Sequence, residues 1–287
     1  MKMSDLLTKD YMRKLDLLTV DLGKRIRSGL TGNRKALGKG NSLEFADFRN
    51  YNYGDDLRRI DWNSYARFDK LYLKLYAEEK QATVNIFLDT SASMAGSGEK
   101  ERYAKLIAAS IAYVYLQNSD RVNLFLVNST VELGKKAMTS KKNFYDLVNF
   151  LDSVEFKGQA DFNGAITPAL QLSAGVCYVL SDFFFDSGFE VGAKTLQERK
   201  QEPILVQLLE KTEANPDLEG YLRLVDSENK SHANVVFSED VKEKYMKALY
   251  DYRRRIKTFA DSRAMGFAYA DTGQYPLGVM NELFRAN

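Results

Sequence analysis

The segment TVNIFLDTSAS, residues 83–93, decides the fold of this 287-residue chain. Its first part, Thr83–Leu88, is a short run of β-branched, apolar and aromatic residues that is typical of a buried strand. Asp89, Ser91 and Ser93 follow directly, and a helical pattern of apolar residues begins at Tyr103. A strand that leads through a polar loop into a helix is the usual first unit of a parallel α/β sheet.

Outward from this segment, apolar runs of strand length alternate with helical patterns. The further predicted strands are Val122–Val127, Val176–Leu180 and Ile204–Leu209. The predicted helices between them contain Tyr103–Val114, Phe144–Leu151 and Ala165–Leu172. We therefore predict an α/β fold, with a doubly wound, mostly parallel sheet and helices on both faces.

The regular alternation of predicted strands and helices ends after Leu209. The predicted elements there are an edge hairpin of Tyr221–Val225 and Val235–Phe237 joined by Asp226–Lys230, a helix from Glu239 to about Phe259, a strand at Gly266–Ala270 and a helix at Leu277–Phe284. Near the N-terminus, apolar residues spaced three and four apart from Leu7 to Ile26 predict an amphipathic helix, capped by Ser4 and packed on the main body. We divide the chain into residues 1–80, a helix-plus-strand extension with a basic loop, and residues 81–287, the α/β domain.

Composition narrows the range of functions. Lys and Arg total 41 against 39 Asp and Glu, a formal net charge of +2. The basic stretch Lys24–Lys39 is better explained as a solvated segment than as an arm for nucleic acid or an acidic partner, because no aromatic residue interleaves it for base stacking. Without a secretory signal or a segment apolar enough to span a membrane, we expect a cytoplasmic protein.

The chain has one cysteine, Cys177, and one histidine, His232. This excludes a disulfide framework, a zinc site built from several Cys and His residues, and a hydrolytic triad that does not use His232. We expect Cys177 to be buried in its strand and His232 to lie in a solvated turn. A metal ion would have to be held mainly by oxygen atoms.

Oxygen-bearing side chains follow two predicted strands at their carboxyl ends. Asp89, Ser91 and Ser93 follow the first strand, and Asp182 follows Val176–Leu180. Ligands of open α/β sheets bind outside the carboxyl ends of the strands, where the strand order reverses. Because Mg²⁺ prefers oxygen ligands and keeps several waters, one carboxylate, two hydroxyls and an outer carboxylate are a sufficient set. The sequence therefore predicts a Mg²⁺ site at this edge.

These residues carry a resemblance to a known family. Asp89-Thr-Ser-Ala-Ser, with Asp182 after a later strand, resembles the metal-ion-dependent adhesion site of von Willebrand factor type A domains. The segments SLEFADFR, residues 42–49, and GDDLRRIDW, residues 54–62, resemble the signature of the bacterial domain-of-unknown-function 58 family. The chain is therefore identified as a member of that family, whose α/β domain is of the von Willebrand factor type A kind.

The resemblance implies a non-enzymatic protein-binding module. In such sites an acidic side chain of the partner fills the open coordination position of the cation, and members of this family are commonly encoded beside a MoxR-type AAA+ ATPase, the implied partner. The family site also takes a threonine from a Gly-Thr-Asp loop. Here that loop reads Gly158-Gln159-Ala160-Asp161, so Asp161, Thr167 or a water must supply the missing oxygen. If its side chain points away, Asp161 instead caps the helix that begins near Asn163.

Two other interpretations of the Asp89 loop stay open. A metal-free interaction scaffold would use the same face, with the loop merely capping the helix around Tyr103, a role that Ser97 serves equally well. A haloacid-dehalogenase-like phosphatase also keeps a nucleophilic Asp at the end of its first parallel strand. Such an enzyme needs a second carboxylate two residues on, where this chain has Ser91.

Overall fold

The computed structural model of the chain describes residues 2–27, 45–76, 81–167, 170–225 and 231–285. The chain divides into two compact units. The α/β unit contains Met1–Gly32 and Ala82–Asn287, and the small unit contains Asn33–Gln81. The N-terminal helix thus belongs to the α/β unit. Our division of the chain into domains 1–80 and 81–287 stays a prediction.

The helices and strands of the described residues are numbered here in chain order. The helices are α1 (Met3–Leu6), α2 (Lys9–Arg27), α3 (Trp62–Phe68), α4 (Ala92–Ala95), α5 (Glu99–Gln117), α6 (Lys141–Ser153), α7 (Phe162–Ala165), α8 (Glu190–Glu198), α9 (Lys211–Ala214), α10 (Glu239–Asp261) and α11 (Pro276–Arg285). The strands are β1 (Phe45–Asn50), β2 (Tyr72–Tyr76), β3 (Thr83–Asp89), β4 (Arg121–Val127), β5 (Val131–Met138), β6 (Gly175–Ser181), β7 (Gln201–Leu209), β8 (Gly220–Val225), β9 (His232–Phe237) and β10 (Gly266–Asp271).

The small unit is an antiparallel strand pair with a short helix between its strands. Strand β1 pairs with β2, with Asn50 opposite Tyr72. Asp61 caps α3 by accepting a hydrogen bond from the Asn63 amide at 3.3 Å, and it forms an ion pair with Lys74 at 3.1 Å. A polar cap and an ion pair therefore hold α3 against β2.

The α/β unit is built on a mostly parallel sheet. Among the described residues its six strands lie in the order β10-β7-β6-β3-β4-β5, and all neighbours are parallel except β4 and β5. The chain passes from β3 to β4 on one side and later places β6 on the other side of β3. The strand order thus reverses between β3 and β6, and their carboxyl ends mark the expected ligand position.

Both faces of the sheet are buried, because successive side chains of a strand point to opposite faces. On β3, Val84, Ile86 and Leu88 pack in a core with residues of α2, α5, α6 and α11, whereas Phe87 packs in a second core with residues of α7, α8 and α10. Burial on both sides explains why the parallel strands read as continuous apolar runs. The Tyr11 hydroxyl also shares a hydrogen bond of 2.8 Å with Ser110, so α2 packs on the main body as predicted.

The predicted doubly wound α/β fold is confirmed, with two differences in its strands. Strand β5 was not predicted, because its sequence VELGKKAM is polar and it lies half-exposed at the sheet edge. Charged side chains are usual on edge strands, where they discourage pairing with other chains. The hairpin of β8 and β9 is not an edge of the main sheet, as we predicted, but a separate two-stranded sheet.

Several local predictions are corrected by the structure. The helix predicted over Ala165–Leu172 is wrong, because α7 ends at Ala165 and Ile166 turns into the core at 2% exposure. The first turn of α2 is held by the Thr8 hydroxyl, which accepts from the Tyr11 amide at 3.2 Å, whereas Ser4 falls inside α1. His232 begins β9 as an exposed strand residue and does not lie in a turn.

The remaining predictions concern burial and the membrane. Cys177 is buried as predicted, and this burial raises the pKa of its thiol. Most of the basic stretch Lys24–Lys39 and the hairpin connection Asp226–Lys230 lie outside the described residues. Within the described ranges, no helix combines the length and apolarity that crossing a bilayer requires.

Candidate metal centre

The first loop of the site leaves β3 at Asp89, where the buried strand ends. Its backbone turns back so that the Ser91 amide donates to Asp89 Oδ1 at 2.9 Å, and the hydroxyls of Ser91 and Ser93 share a hydrogen bond of 2.9 Å. Ser91 precedes α4 but makes no side-chain cap to it. The structure therefore brings the three predicted first-loop oxygens together and leaves both hydroxyls free of a capping role.

The second strand end supplies Ser181 and Asp182 beside this loop. The Ser181 hydroxyl donates to Asp89 Oδ2 at 2.6 Å and accepts from the Phe183 amide at 2.8 Å. Asp182 Oδ1 accepts from the Phe184 amide at 3.0 Å. Phe183 has a positive φ of 66°, a conformation that costs energy for a bulky residue and is kept only when its surroundings enforce it. Ser181, which we did not predict, thus links Asp89 to the β6 loop.

Asp182 is also bound by a buried lysine that the sequence did not single out. Lys100, in the first turn of α5, donates to Asp182 Oδ2 at 2.8 Å and to the two carboxylate oxygens of Glu213 at 2.9 and 3.0 Å. The side chains of Lys100 and Asp182 are each only 1% exposed. Burial alone would lower the pKa of Lys100, but the charges of Asp182 and Glu213 outweigh it and raise that pKa. Lys100 therefore stays an ammonium ion inside the protein.

Asp89, in contrast, accepts hydrogen bonds from neutral donors, the Ser91 amide and the Ser181 hydroxyl. Its side chain is almost fully buried, at 2% exposure. Burial first, and the negative charge of Asp182 second, raise the pKa of the Asp89 carboxyl to about 7, against the hydrogen bonds that favour its charged form. A positive charge beside Asp89 would relieve this cost, since a cation favours the ionised carboxylate.

The second loop lies next to the first but adds no carboxylate to it. The Ala92 amide donates to the Gly158 carbonyl at 2.8 Å, so the loops adjoin, and Ala160 is buried at 6% exposure. Asp161 Oδ1 accepts from the Gly164 amide at 3.0 Å and from the Ser187 hydroxyl at 2.6 Å. These bonds, that of Ser187 first, lower the pKa of Asp161. The structure thus shows the capping role that the sequence offered as the alternative for Asp161.

Some of the predicted residues are placed so that they could hold a hydrated cation through oxygen atoms, and others are not. Asp89, Ser91 and Ser93 converge, Asp182 stands behind them as a second carboxylate, and the position of Ala160 offers no side-chain oxygen. In the described parts of the chain, no cluster of three or more His, Cys, Asp or Glu side chains forms a ready-made cage. Such a donor set suits Mg²⁺, which usually keeps several waters and takes few carboxylates from the protein.

The predicted helix cap at Ser97 is not observed. Helix α5 begins after Gly98, and Ser97 instead donates through its hydroxyl and its amide to the Glu210 carboxylate. Glu210 is itself buried at 8% exposure. The turn between α4 and α5 is therefore fastened to the segment that follows β7.

The six-stranded, mostly parallel sheet with helices on both faces places this protein in the class of doubly wound α/β domains, and the Asp89 loop lies where the strand order reverses. The chain belongs to the family described as Protein of unknown function DUF58, whose model matches residues 47–255. The family predicted from the sequence is thereby confirmed. No functionally curated protein matches the chain.

Solved structures similar to this chain include three from different organisms. The conserved hypothetical protein BatB from Bacteroides thetaiotaomicron is 13% identical over 71% of this chain and 98% of its own, with a TM-score of 0.44. A von Willebrand factor type A protein from Catenulispora acidiphila is 10% identical over 75% of this chain and 43% of its own, with a TM-score of 0.42. The manganese-loaded TRAP protein of Plasmodium vivax is 14% identical over 44% of this chain and 56% of its own, with a TM-score of 0.36.

Proposed function

We propose that this chain is a non-enzymatic protein-binding module that uses an adhesion-type divalent-cation site. Asp89, Ser91 and Ser93 would be the direct ligands, Asp182 the outer carboxylate, and Mg²⁺ the cation. Asp161 is left out of this set because its carboxylate caps α7. When bound, the cation would accept a carboxylate of the partner as a further ligand.

One observation carries the proposal: Asp89 is a buried carboxylate that is held in place by neutral donors only. Carboxylates that serve merely as structural anchors usually pair with Lys or Arg, as Asp182 does with Lys100. At Asp89 the hydrogen bonds from Ser91 and Ser181 orient both oxygens, and each oxygen retains a lone pair for a further ligand. The neighbouring hydroxyls of Ser91 and Ser93 supply additional oxygens on the same side.

The proposed partner follows from the family to which the chain belongs. Because members of the DUF58 family are commonly encoded beside a MoxR-type AAA+ ATPase, we propose such an ATPase, presenting an acidic side chain, as the partner. The two proteins would meet in the cytoplasm, the location that we propose for the chain. Phosphatase chemistry is not part of this proposal, because position 91 holds Ser where haloacid-dehalogenase-like enzymes need an acid.

The test is a binding measurement between the purified chain and the MoxR-type ATPase of the same genome, in Mg²⁺ and in EDTA. EDTA and Asp89→Asn should each weaken the complex to a similar extent. Asp186→Asn is the matched control, because Asp186 lies near the same edge and bonds the Gln159 side chain at 3.0 Å, outside the ligand set. Unchanged binding in EDTA and in Asp89→Asn contradicts the cation-dependent function. Phosphatase turnover that Asp89→Asn abolishes would restore the enzyme interpretation.

A metal-free scaffold is the second candidate, and the Lys100–Asp182 pair is the observation that favours it. An ammonium ion already compensates one of the two buried carboxylates, and Ala160 removes one expected ligand. This candidate predicts that the partner binds equally well in EDTA, and that Asp89→Asn has no effect on the complex. The same experiment therefore separates the two.

A further inference from the structure

A buried cluster of charges borders the proposed cation site. Lys100 lies between Asp182 and Glu213, at 2.8 Å from the first and 2.9 Å from the second. The Glu213 side chain is 33% exposed, whereas Lys100 and Asp182 are out of contact with water. One internal cation is thus shared by two carboxylates, one of which is the proposed outer carboxylate of the site.

The ammonium group of Lys100 is held where it stands by the segment that follows β7. Glu213 Oε2 also accepts from the Glu210 amide at 2.7 Å, and the Glu210 carboxylate accepts from Ser97, three residues before Lys100. These bonds tie the start of α5 to α9 on both sides of the lysine. Lys100 is therefore a fixed charge and not a mobile surface side chain.

We propose that Lys100 is the residue that determines how strongly this edge of the sheet binds divalent cations. This inference rests on the proposed cation site. The Lys100 ammonium compensates Asp182, so this carboxylate is stable without a metal. The same charge repels a divalent cation seated at Asp89, Ser91 and Ser93. Lys100 positions Asp182 through a direct hydrogen bond and does not itself bind the metal.

The sign of this effect follows from Coulomb interactions with the buried charges of Lys100 and Asp182. Charges a few ångströms apart interact far more strongly in a protein interior than in bulk solvent, and salt screens buried pairs little. Removing the ammonium leaves Asp182 uncompensated, and a divalent cation becomes the nearest source of positive charge. Removing the charge of Glu213 has the opposite effect. The ammonium of Lys100 is then compensated by Asp182 alone, so its repulsion of a cation at Asp89 increases.

The experiment is titration calorimetry with Mg²⁺ on the wild type and three variants, together with thermal unfolding of each protein in EDTA. We expect Lys100→Met to bind Mg²⁺ about tenfold or more tightly than the wild type, and to be less stable in EDTA. Glu213→Gln should bind Mg²⁺ more weakly. Lys105→Met is the matched control, because Lys105 is a buried lysine of the same helix that pairs with Glu101 at 2.6 Å. It should lose stability without a change in Mg²⁺ affinity.

The opposite directions of Lys100→Met and Glu213→Gln separate this role from simple loosening of the fold, which would weaken Mg²⁺ binding in both. Equal or weaker binding by Lys100→Met overturns the inference while leaving the proposed function intact. Binding by Lys100→Met but not by the wild type supports the inference and removes the cation from the proposed function. If Lys100→Met does not fold, Glu213→Gln is compared with the Lys105→Met control, which also loosens the fold: weaker Mg²⁺ binding than the control supports the inference, and binding equal to or tighter than the control overturns it. Failure of the wild type and of every folded variant to bind Mg²⁺ overturns both.

Discussion

Replacing Asp89 by Asn should make the metal-free protein more stable at alkaline pH. The change is isosteric, and the remaining carbonyl oxygen still accepts from the Ser91 amide, while the new amide group donates to Ser181 Oγ. What the change removes is the cost of ionising a buried carboxyl whose pKa is raised to about 7, first by burial and second by the charge of Asp182. Asp89→Asn therefore removes the charge of this residue and keeps its shape, while its hydrogen bond with Ser181 reverses direction.

The structure sets the size and the sign of the effect. The difference between the reference pKa of 3.8 and the folded value of about 7 corresponds to at most about 4 kcal/mol of unfolding free energy. Between these two values the folded protein keeps a proton that the unfolded chain has lost, so the contribution of Asp89 to stability falls as the pH rises from about 4 to about 7 and stays constant above about 7. We expect the wild type to lose about 2–3 kcal/mol between about pH 5 and about pH 8 relative to Asp89→Asn.

The assay is urea unfolding of both proteins in EDTA over this pH range, repeated at alkaline pH with excess Mg²⁺. The wild type should fall below the variant as the pH rises, and Mg²⁺ should stabilise the wild type alone. Asp161→Ala is the control of opposite sign: the pKa of Asp161 is lowered, first by Ser187 and then by the Gly164 amide, so the stability that it contributes is lost as the pH falls. Parallel pH curves for the wild type and Asp89→Asn would refute the reasoning.

Three further predictions concern the second loop and the packing around the sheet. Ala160→Thr should tighten Mg²⁺ binding by about 1 kcal/mol, the net value of one additional polar contact, as calorimetry would show; unchanged affinity would mean that the hydroxyl does not reach the site. Gly175→Ala should lower the unfolding free energy by about 1–3 kcal/mol, because a Cβ at this position meets the Thr83 carbonyl oxygen at 2.0 Å; wild-type stability in urea would show that β6 can shift. Tyr11→Phe should cost about 1 kcal/mol by removing the 2.8 Å hydrogen bond between the Tyr11 and Ser110 hydroxyls, although Ser110 still donates to the Leu106 carbonyl. A thermal midpoint equal to that of the wild type would show that this bond contributes little.

The parallel strands were predictable because each is buried on both faces. Strands such as β3 and β7 carry mostly apolar residues over a length typical of strands, the pattern expected of a strand that is covered on both faces. The edge strand β5 has no such pattern, because its charged side chains are exposed to solvent at the edge of the sheet. The helix predicted over Ala165–Leu172 is wrong because Ile166 is buried in the core without being part of a helix. In addition, Pro168 disfavours a helical backbone in the residue before it.

The sequence by itself determined that parallel strands alternate with helices from Thr83 onward, and it indicated the strand ends at which the candidate site is proposed. Asp89, Ser91 and Asp182 were identified because they follow predicted parallel strands, whose carboxyl ends all lie at one edge of a sheet. That β6 lies directly beside β3 was decided by the sheet topology. Only the tertiary structure decided how the charges at this edge are balanced. Lys100 reads in the sequence as an ordinary exposed residue of a helix start, and Glu213 follows it by 113 positions. Electrostatic interaction depends on distance in space and on exclusion of water, and neither is encoded in the spacing of residues along the chain.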